Sequence, residues 1–355
     1  MRYEATRIIA FLLGTVLAAP VVCGSPWTRH TLRATPDRRT LAPQQPMLEG
    51  CAPLTRFASY ELVKRGIGPR APVDVLWRTN GAVAVLDNFK GQVYVHATPD
   101  ANNLDVVPVA QPLLYPQALV ERHGRLLASD ERGIVPLEPR EHERVVRPFL
   151  RIGDFDALPD GGFVLSAKAP PAGGVPSLGV LTVIDSAGVI KERKSLPSIS
   201  NQGDTAAFIA ANAERIVAVL KYFPLLLVFG DSGAPIQVQL RYPHGVDQIR
   251  EAWIHDDRNR MTQCVSGLAL VRNRVFVLLA LARLTVLQYD DRGIYLGCLD
   301  SPEPSGPDAA VPMTFAVRLA GREVQVVAVL SLLGSTNKTL TYWRARDPFG
   351  RALRK

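Results

Sequence analysis

The densest collection of groups able to do chemistry lies between positions 244 and 259. His244, Asp247, His255, Asp256, Asp257 and Asn259 follow one another there. Imidazoles and carboxylates at that density can hold a metal ion or move protons. Their spacing matches neither an EF-hand loop nor two histidines one helical turn apart, and Arg258 and Arg260 stand beside the carboxylates as ready partners. The stretch reads as a solvated loop, with His255 retained as a candidate ligand-binding residue. His142-Glu143 lacks the second histidine of a metalloprotease helix and, between Glu141 and Arg144, reads as an exposed strand edge. Asn337-Lys338-Thr339 is a glycosylation sequon.

Three cysteines, Cys51, Cys264 and Cys298, remain once an N-terminal export signal is set aside, and no two sit at metal-ligand spacing. An odd number leaves one thiol unpaired. The expected bond is Cys264–Cys298, pinning the long loop before Cys264, with Cys51 free.

The export signal is itself legible. Arg2 and Arg7 begin it, Ile8 to Val22 supply the apolar stretch, and Val22-Cys23-Gly24 is a small-residue cleavage site, with Val16-Leu17-Ala18 as a second. Residues 20–22 lack the pattern that precedes a lipidated cysteine, so Cys23 reads as part of the cleavage site. The two most apolar later stretches, 216–229 and 275–287, are broken by Lys221 and Pro224 and by Arg283. Neither reaches the ~18 clean residues of a span. The expectation is a secreted or periplasmic protein, soluble after signal removal and monomeric.

The net charge is +8, and only eight of the 41 basic residues are lysine. Those charges are scattered along the chain, without the concentrated patch or sequence pattern of a nucleic-acid binder. No specific nucleic-acid binding is expected.

Stepping from single residues to the elements that carry them, the chain past Phe57 is a series of short apolar runs separated by turn residues. A hairpin recurs six times: 73–78 with 82–86, 118–120 with 126–128, 155–158 with 163–166, 206–210 with 216–220, 268–271 with 275–280, and 315–319 with 324–330. Asn80-Gly81, His123-Gly124, Asp160-Gly161 and Ala320-Gly321 provide tight turns. The second strands begin at 82, 126, 163, 216, 275 and 324, about the spacing of a four-stranded propeller blade. Third and fourth strands follow in several copies, as at 180–184 with 189–193 and 284–289 with 294–298. The sixth copy ends without a fourth strand, while 57–63 alternates apolar and polar residues outside any complete hairpin. A ring cannot leave a long edge unpaired, so the N-terminal segment is expected to close blade six. The fold class is all-β, a six-bladed β-propeller with four-stranded blades. The expected division is 1–24 signal, 25–50 flexible lead, 51–350 propeller and 351–355 tail.

Leu158-Pro159-Asp160-Gly161-Gly162-Phe163-Val164-Leu165 and Asp185-Ser186-Ala187-Gly188 resemble the turn-and-strand motifs of six-bladed propellers of the NHL-repeat and TolB-like group. The resemblance spans roughly 57–346 and concerns architecture, because these motifs shape turns and carry no reacting group. Some members of this wider group are lactonases or lyases that hold a metal with acidic or amide residues of the inner strands. Asp74, Asp156 and Asp204 approach such a set without completing it.

The fold implies one further arrangement. The turn after each second strand carries a cation: Lys90, Arg132, Lys168, Lys221, Arg283 and, less closely, Lys338. Such turns share one face of a propeller, so the cations would surround the channel mouth and attract an anion. With Asp204 and His255 they are the candidate ligand-binding residues. The function expected is that of a binding or scaffold propeller taking a protein or a small anionic ligand at this face, with a metal-dependent hydrolase or lyase as the alternative. No cofactor is legible.

Overall fold

The computed structural model describes residues 50–62, 68–109, 112–138, 146, 152–168, 179–197, 206–230, 234–242, 263–281, 283–301, 310–332, 337–347 and 349. The signal, nearly all of the lead, the C-terminal tail, Asp204, His142-Glu143 and the His- and Asp-rich stretch with His255 lie outside these residues.

Among the described residues every regular element is a strand. The first two are β1 (Cys51–Pro53) and β2 (Thr55–Glu61). Blade one is β3 (Pro72–Trp77), β4 (Val83–Asp87), β5 (Gln92–His96) and β6 (Asp105–Val106). Blade two is β7 (Ala118–Arg122), β8 (Arg125–Asp130) and β9 (Gly133–Pro136), with a single bridge from Ile134 to Val146 where a fourth strand would lie. Blade three is β10 (Ile152–Ala157), β11 (Phe163–Lys168), β12 (Gly179–Ile184) and β13 (Ile190–Ser195). Blade four is β14 (Ala207–Ala211), β15 (Ile216–Leu220), β16 (Leu225–Phe229) and β17 (Ile236–Gln239). Blade five is β18 (Val265–Val271), β19 (Arg274–Leu279), β20 (Thr285–Asp290) and β21 (Tyr295–Asp300). Blade six is β22 (Ala310–Ala320), β23 (Glu323–Leu332) and β24 (Lys338–Arg346), completed on its outer side by β2. The repeated hairpins and the closure by the N-terminus are as the sequence predicts.

The period of two along each strand explains why six sheets form one ring. Successive side chains point to opposite sheet faces, so a strand between two blades must be apolar on both. In β4, Val83 and Val85 pack toward blade six while Ala84 and Leu86 pack toward blade two. In β19, Val275, Val277 and Leu279 face blade four, and Phe276 and Leu278 face blade six. One apolar cluster fills each of the six seams, including that between blades six and one. The outer strands turn polar, as in Ile190-Lys191-Glu192-Arg193-Lys194 of β13.

The cysteine pairing differs from the expectation. Cys51 is bonded to Cys298, and Cys264 is the buried free thiol. The reason lies in β1, which pairs in parallel with β21 as a fifth strand of blade five, setting Cys51 opposite Cys298 with Cα atoms 4.5 Å apart. Cys264 precedes β18 at the inner edge of that sheet, with β19 and β20 between it and β21. The N-terminus therefore reaches the outer edge of blade five before it closes blade six.

Candidate functional site

Each blade begins its inner strand at one face of the ring, where the second and third strands are also joined. The long connections 107–117, 169–178, 196–206, 240–264 and 301–309 all start and end there, while 137–151 leaves β9 at the opposite face and returns past the Ile134–Val146 bridge. The opposite face has tight turns such as 123–124, 272–273 and 321–322. The molecule thus has a loop-rich mouth and a trimmed back.

Just inside the mouth the inner strands are irregular at one level. β3, β10, β18 and β22 each slip register by one residue, at Val73, Gly153, Ser266 and Met313. A bulge re-aims the residue that follows it. Those residues are Asp74, Asp154, Gly267 and Thr314, and Asp156 lies one step deeper than Asp154.

The three carboxylates hold one blade to the next. An innermost strand has a free edge whose N–H groups lack a ladder partner. Asp74 takes the Leu119 N–H of blade two at 2.7 Å; Asp154 and Asp156 take the Ile209 and Ala211 N–H groups of blade four, each at 2.7 Å. The second oxygen of each accepts the N–H of the following residue, Val75, Phe155 or Ala157, at 2.8, 3.0 and 2.7 Å. Thr314 adds a 3.3 Å hydroxyl hydrogen bond to Asp74.

Proton affinity here is far from ordinary. These carboxylates are half-buried. Burial is accordingly the main cause of their shifts: Asp154 is pushed up to about 6, Asp74 and Asp156 to about 7. Lys221, at the end of β15, lowers Asp154, and the charge of Asp154 in turn raises the other two. Burial pushes the Lys221 ammonium down, against the pull of Asp154 and Asp74, and its Nζ stands 4.1 Å from the centre of the Phe208 ring. Near neutral pH this cluster can accept or release a proton.

Of the cations expected around the mouth, the structure places one at the second-to-third strand connection of every blade. Lys90 lies in the β4–β5 turn, its Nζ 5.8 Å from the Tyr94 ring centre. Arg132 is held 2.6 Å from the buried Asp130 carboxylate. Lys168 is the last residue of β11. Lys221 belongs to the channel cluster. Arg283 is 3.4 Å from the buried Asp300, and Lys338 donates to the Arg70 carbonyl at 2.9 Å. The topology collects them on one face, but the buried Asp130 and Asp300 already engage Arg132 and Arg283, and Asp154 and Asp74 attract Lys221, so they do not form a bare collar for anions. Asp74 and Asp156, considered above as metal ligands, instead bond backbone N–H groups. Asp154 was missed, though an aspartate flanking Phe155 in an apolar inner strand was a usable signal. Among the described residues no group of three or more His, Cys, Asp or Glu is arranged to hold a metal ion.

No protein-family model matches the chain, and no curated protein matches it in sequence. Solved structures are similar in fold. A streptogramin B lyase aligns over 81% of this chain and 98% of its own at 10% identity with a TM-score of 0.51. The virginiamycin B lyase of Staphylococcus aureus aligns over 81% and 98% at 9% identity and 0.49. A calcium-binding protein, regucalcin, of Agrobacterium tumefaciens aligns over 84% and 97% at 11% identity and 0.47. At such identities the likeness is one of architecture, the six-bladed propeller.

Proposed function

We propose that this chain is an exported binding propeller, of the NHL-repeat and TolB-like kind, that seats a protein partner at its loop-rich face. The observation that carries the reading is the asymmetry of the ring, with five of its long connections starting and ending at the mouth and mostly tight turns behind. Binding surfaces are built from loops held by a rigid scaffold. The channel carboxylates fit this reading, because one oxygen of each joins its blade to the next and the other accepts a backbone N–H of its own strand. The Cys51–Cys298 bond supports export, since disulfides persist in oxidising compartments.

A second reading, a hydrolase or lyase, draws on the proton-exchanging cluster of Asp74, Asp154 and Lys221. Elemental analysis tests its metal-dependent form, which requires a stoichiometric ion.

Photo-cross-linking in the source cells tests the leading reading. A photoreactive residue at Lys90 or Arg132 should yield a discrete adduct recovered from the envelope or the medium, and one at His123 or Arg292 on the back should not. Adducts from the back alone would refute the assignment of the face, and recovery from the cytosol alone would refute export.

A further inference from the structure

On the mouth, between blades one and two, three large apolar side chains stand in solvent. Phe89 is 69% exposed, Tyr115 63% and Leu114 46%. They lie on two segments bound side by side: the Leu113 N–H donates to the Gly91 carbonyl at 3.0 Å, and the Asn88 side-chain amide donates to the Pro116 carbonyl at 2.7 Å. The approach is so close that a Cβ on Gly91, at φ +61°, would lie 2.2 Å from the Leu113 carbonyl oxygen.

The presentation of Tyr115 is costly. Its φ is +50°, a left-handed conformation that side-chain-bearing residues rarely adopt. Hydrogen bonds on either side hold it. Leu114 donates to the buried Asp130 carboxylate and accepts from the Glu131 N–H, each at 3.0 Å, and the Tyr115 carbonyl accepts from the Gln117 amide at 3.0 Å. The same φ at His123 and Arg272 serves tight hairpin turns, whereas at Tyr115 it holds a large aromatic ring in water beside two other exposed apolar side chains, and such patches mark surfaces that are used.

Charge around the patch identifies the partner's chemistry. The Arg70 guanidinium stands 5.8 Å from the centre of the Phe89 ring and Lys90 follows Phe89, while the nearby Arg132 is already paired with Asp130. Asp87 and Asp130 lie buried beneath, accepting backbone N–H groups. Among the described residues of these segments Glu131 is the one exposed acid. Resting on the reading of the mouth as the binding face, we infer that this patch docks an acidic peptide segment of a protein partner, with an apolar side chain seated on Phe89, Leu114 and Tyr115. Aromatic anchors beside guanidinium groups are the usual centres of binding energy in such contacts.

The test is fluorescence anisotropy with a short labelled peptide, rich in Asp and Glu around a Leu-Trp pair, against a counterpart with Lys in place of the acids. The acidic probe should bind more tightly, and more so at low salt. Phe89→Ser and Tyr115→Gly should each weaken it roughly tenfold. Tyr115→Gly should keep or raise the melting temperature, since glycine accepts the positive φ, which separates lost contact from lost fold. Ile294→Ser on the back, at an exposed apolar residue, should bind as wild type. Wild-type affinity in both patch variants, equal binding of the two probes, or no binding of the acidic one would overturn the inference. Sensitivity to Arg283→Ala with indifference at Phe89 and Tyr115 would overturn the patch and leave the face standing. Sensitivity to Ile294→Ser alone would overturn both.

Discussion

Opening the Cys51–Cys298 bond substitutes no residue and so perturbs the molecule cleanly. The bond joins residues 247 apart in sequence, nearly the whole ring. In the chain-entropy treatment a loop of that length restricts the unfolded chain by about 5 kcal/mol, and native disulfides commonly contribute about 2–5 kcal/mol. At about 2 cal/mol/K of unfolding entropy per residue, a propeller of about 300 residues gains ~0.6 kcal/mol/K, so a loss of about 3–5 kcal/mol lowers Tm by about 5–8 °C. The expected assay is differential scanning calorimetry of protein refolded with and without reductant. Reduced chain should still form the ring, because β2 keeps its pairing with β24 from Thr55↔Arg344 to Glu61↔Thr339. Cys264→Ala should leave the reductant effect intact, and alkylation of oxidised protein should find Cys264 only after unfolding. A Tm indifferent to reductant, or an effect abolished by Cys264→Ala, would refute the pairing and the account of β1 as a fifth strand.

Two further outcomes follow from buried charge. Arg274, 1% exposed, donates from Nη1 to both Asp347 carboxylate oxygens at 2.8 Å and from Nη2 to Gln288, tying the chain after β24 back onto blade five. Asp347→Ala leaves that cation unpaired and should cost ~3–5 kcal/mol in urea unfolding, with much of the loss recovered when Arg274→Met is added; a silent Asp347→Ala would sink the argument. The channel aspartates act in the opposite sense to surface carboxylates: their folded-state values, about 6 for Asp154 and about 7 for Asp74 and Asp156, lie above the unfolded value, so folding favours the protonated forms. Their stabilising contribution is full below pH 4 and declines as the pH rises through 7, so Asp156→Asn should flatten the fall of the urea midpoint between pH 4 and 7, and an unchanged slope would contradict the assignment.

Much of the architecture was local and therefore readable. Asn80-Gly81 and Asp160-Gly161 mark hairpins through backbone preference alone, and Val83-Ala84-Val85-Leu86 announces a strand packed on both faces. The unfinished sixth blade and the spare alternation around Phe57 call for each other by simple edge pairing. The rest required contacts between distant segments. Cys51 meets Cys298 because a three-residue strand lies parallel to β21, and three residues carry no pattern that names a partner. Arg132 and Arg283 looked like free cations until Asp130 and Asp300 were found buried beside them. Asp74 and Asp156 resembled unfinished metal ligands, although what they bind, together with the unnoticed Asp154, is the backbone of the next blade. A backbone N–H has no signature in a sequence, so only the closed ring decided which blade each carboxylate would join.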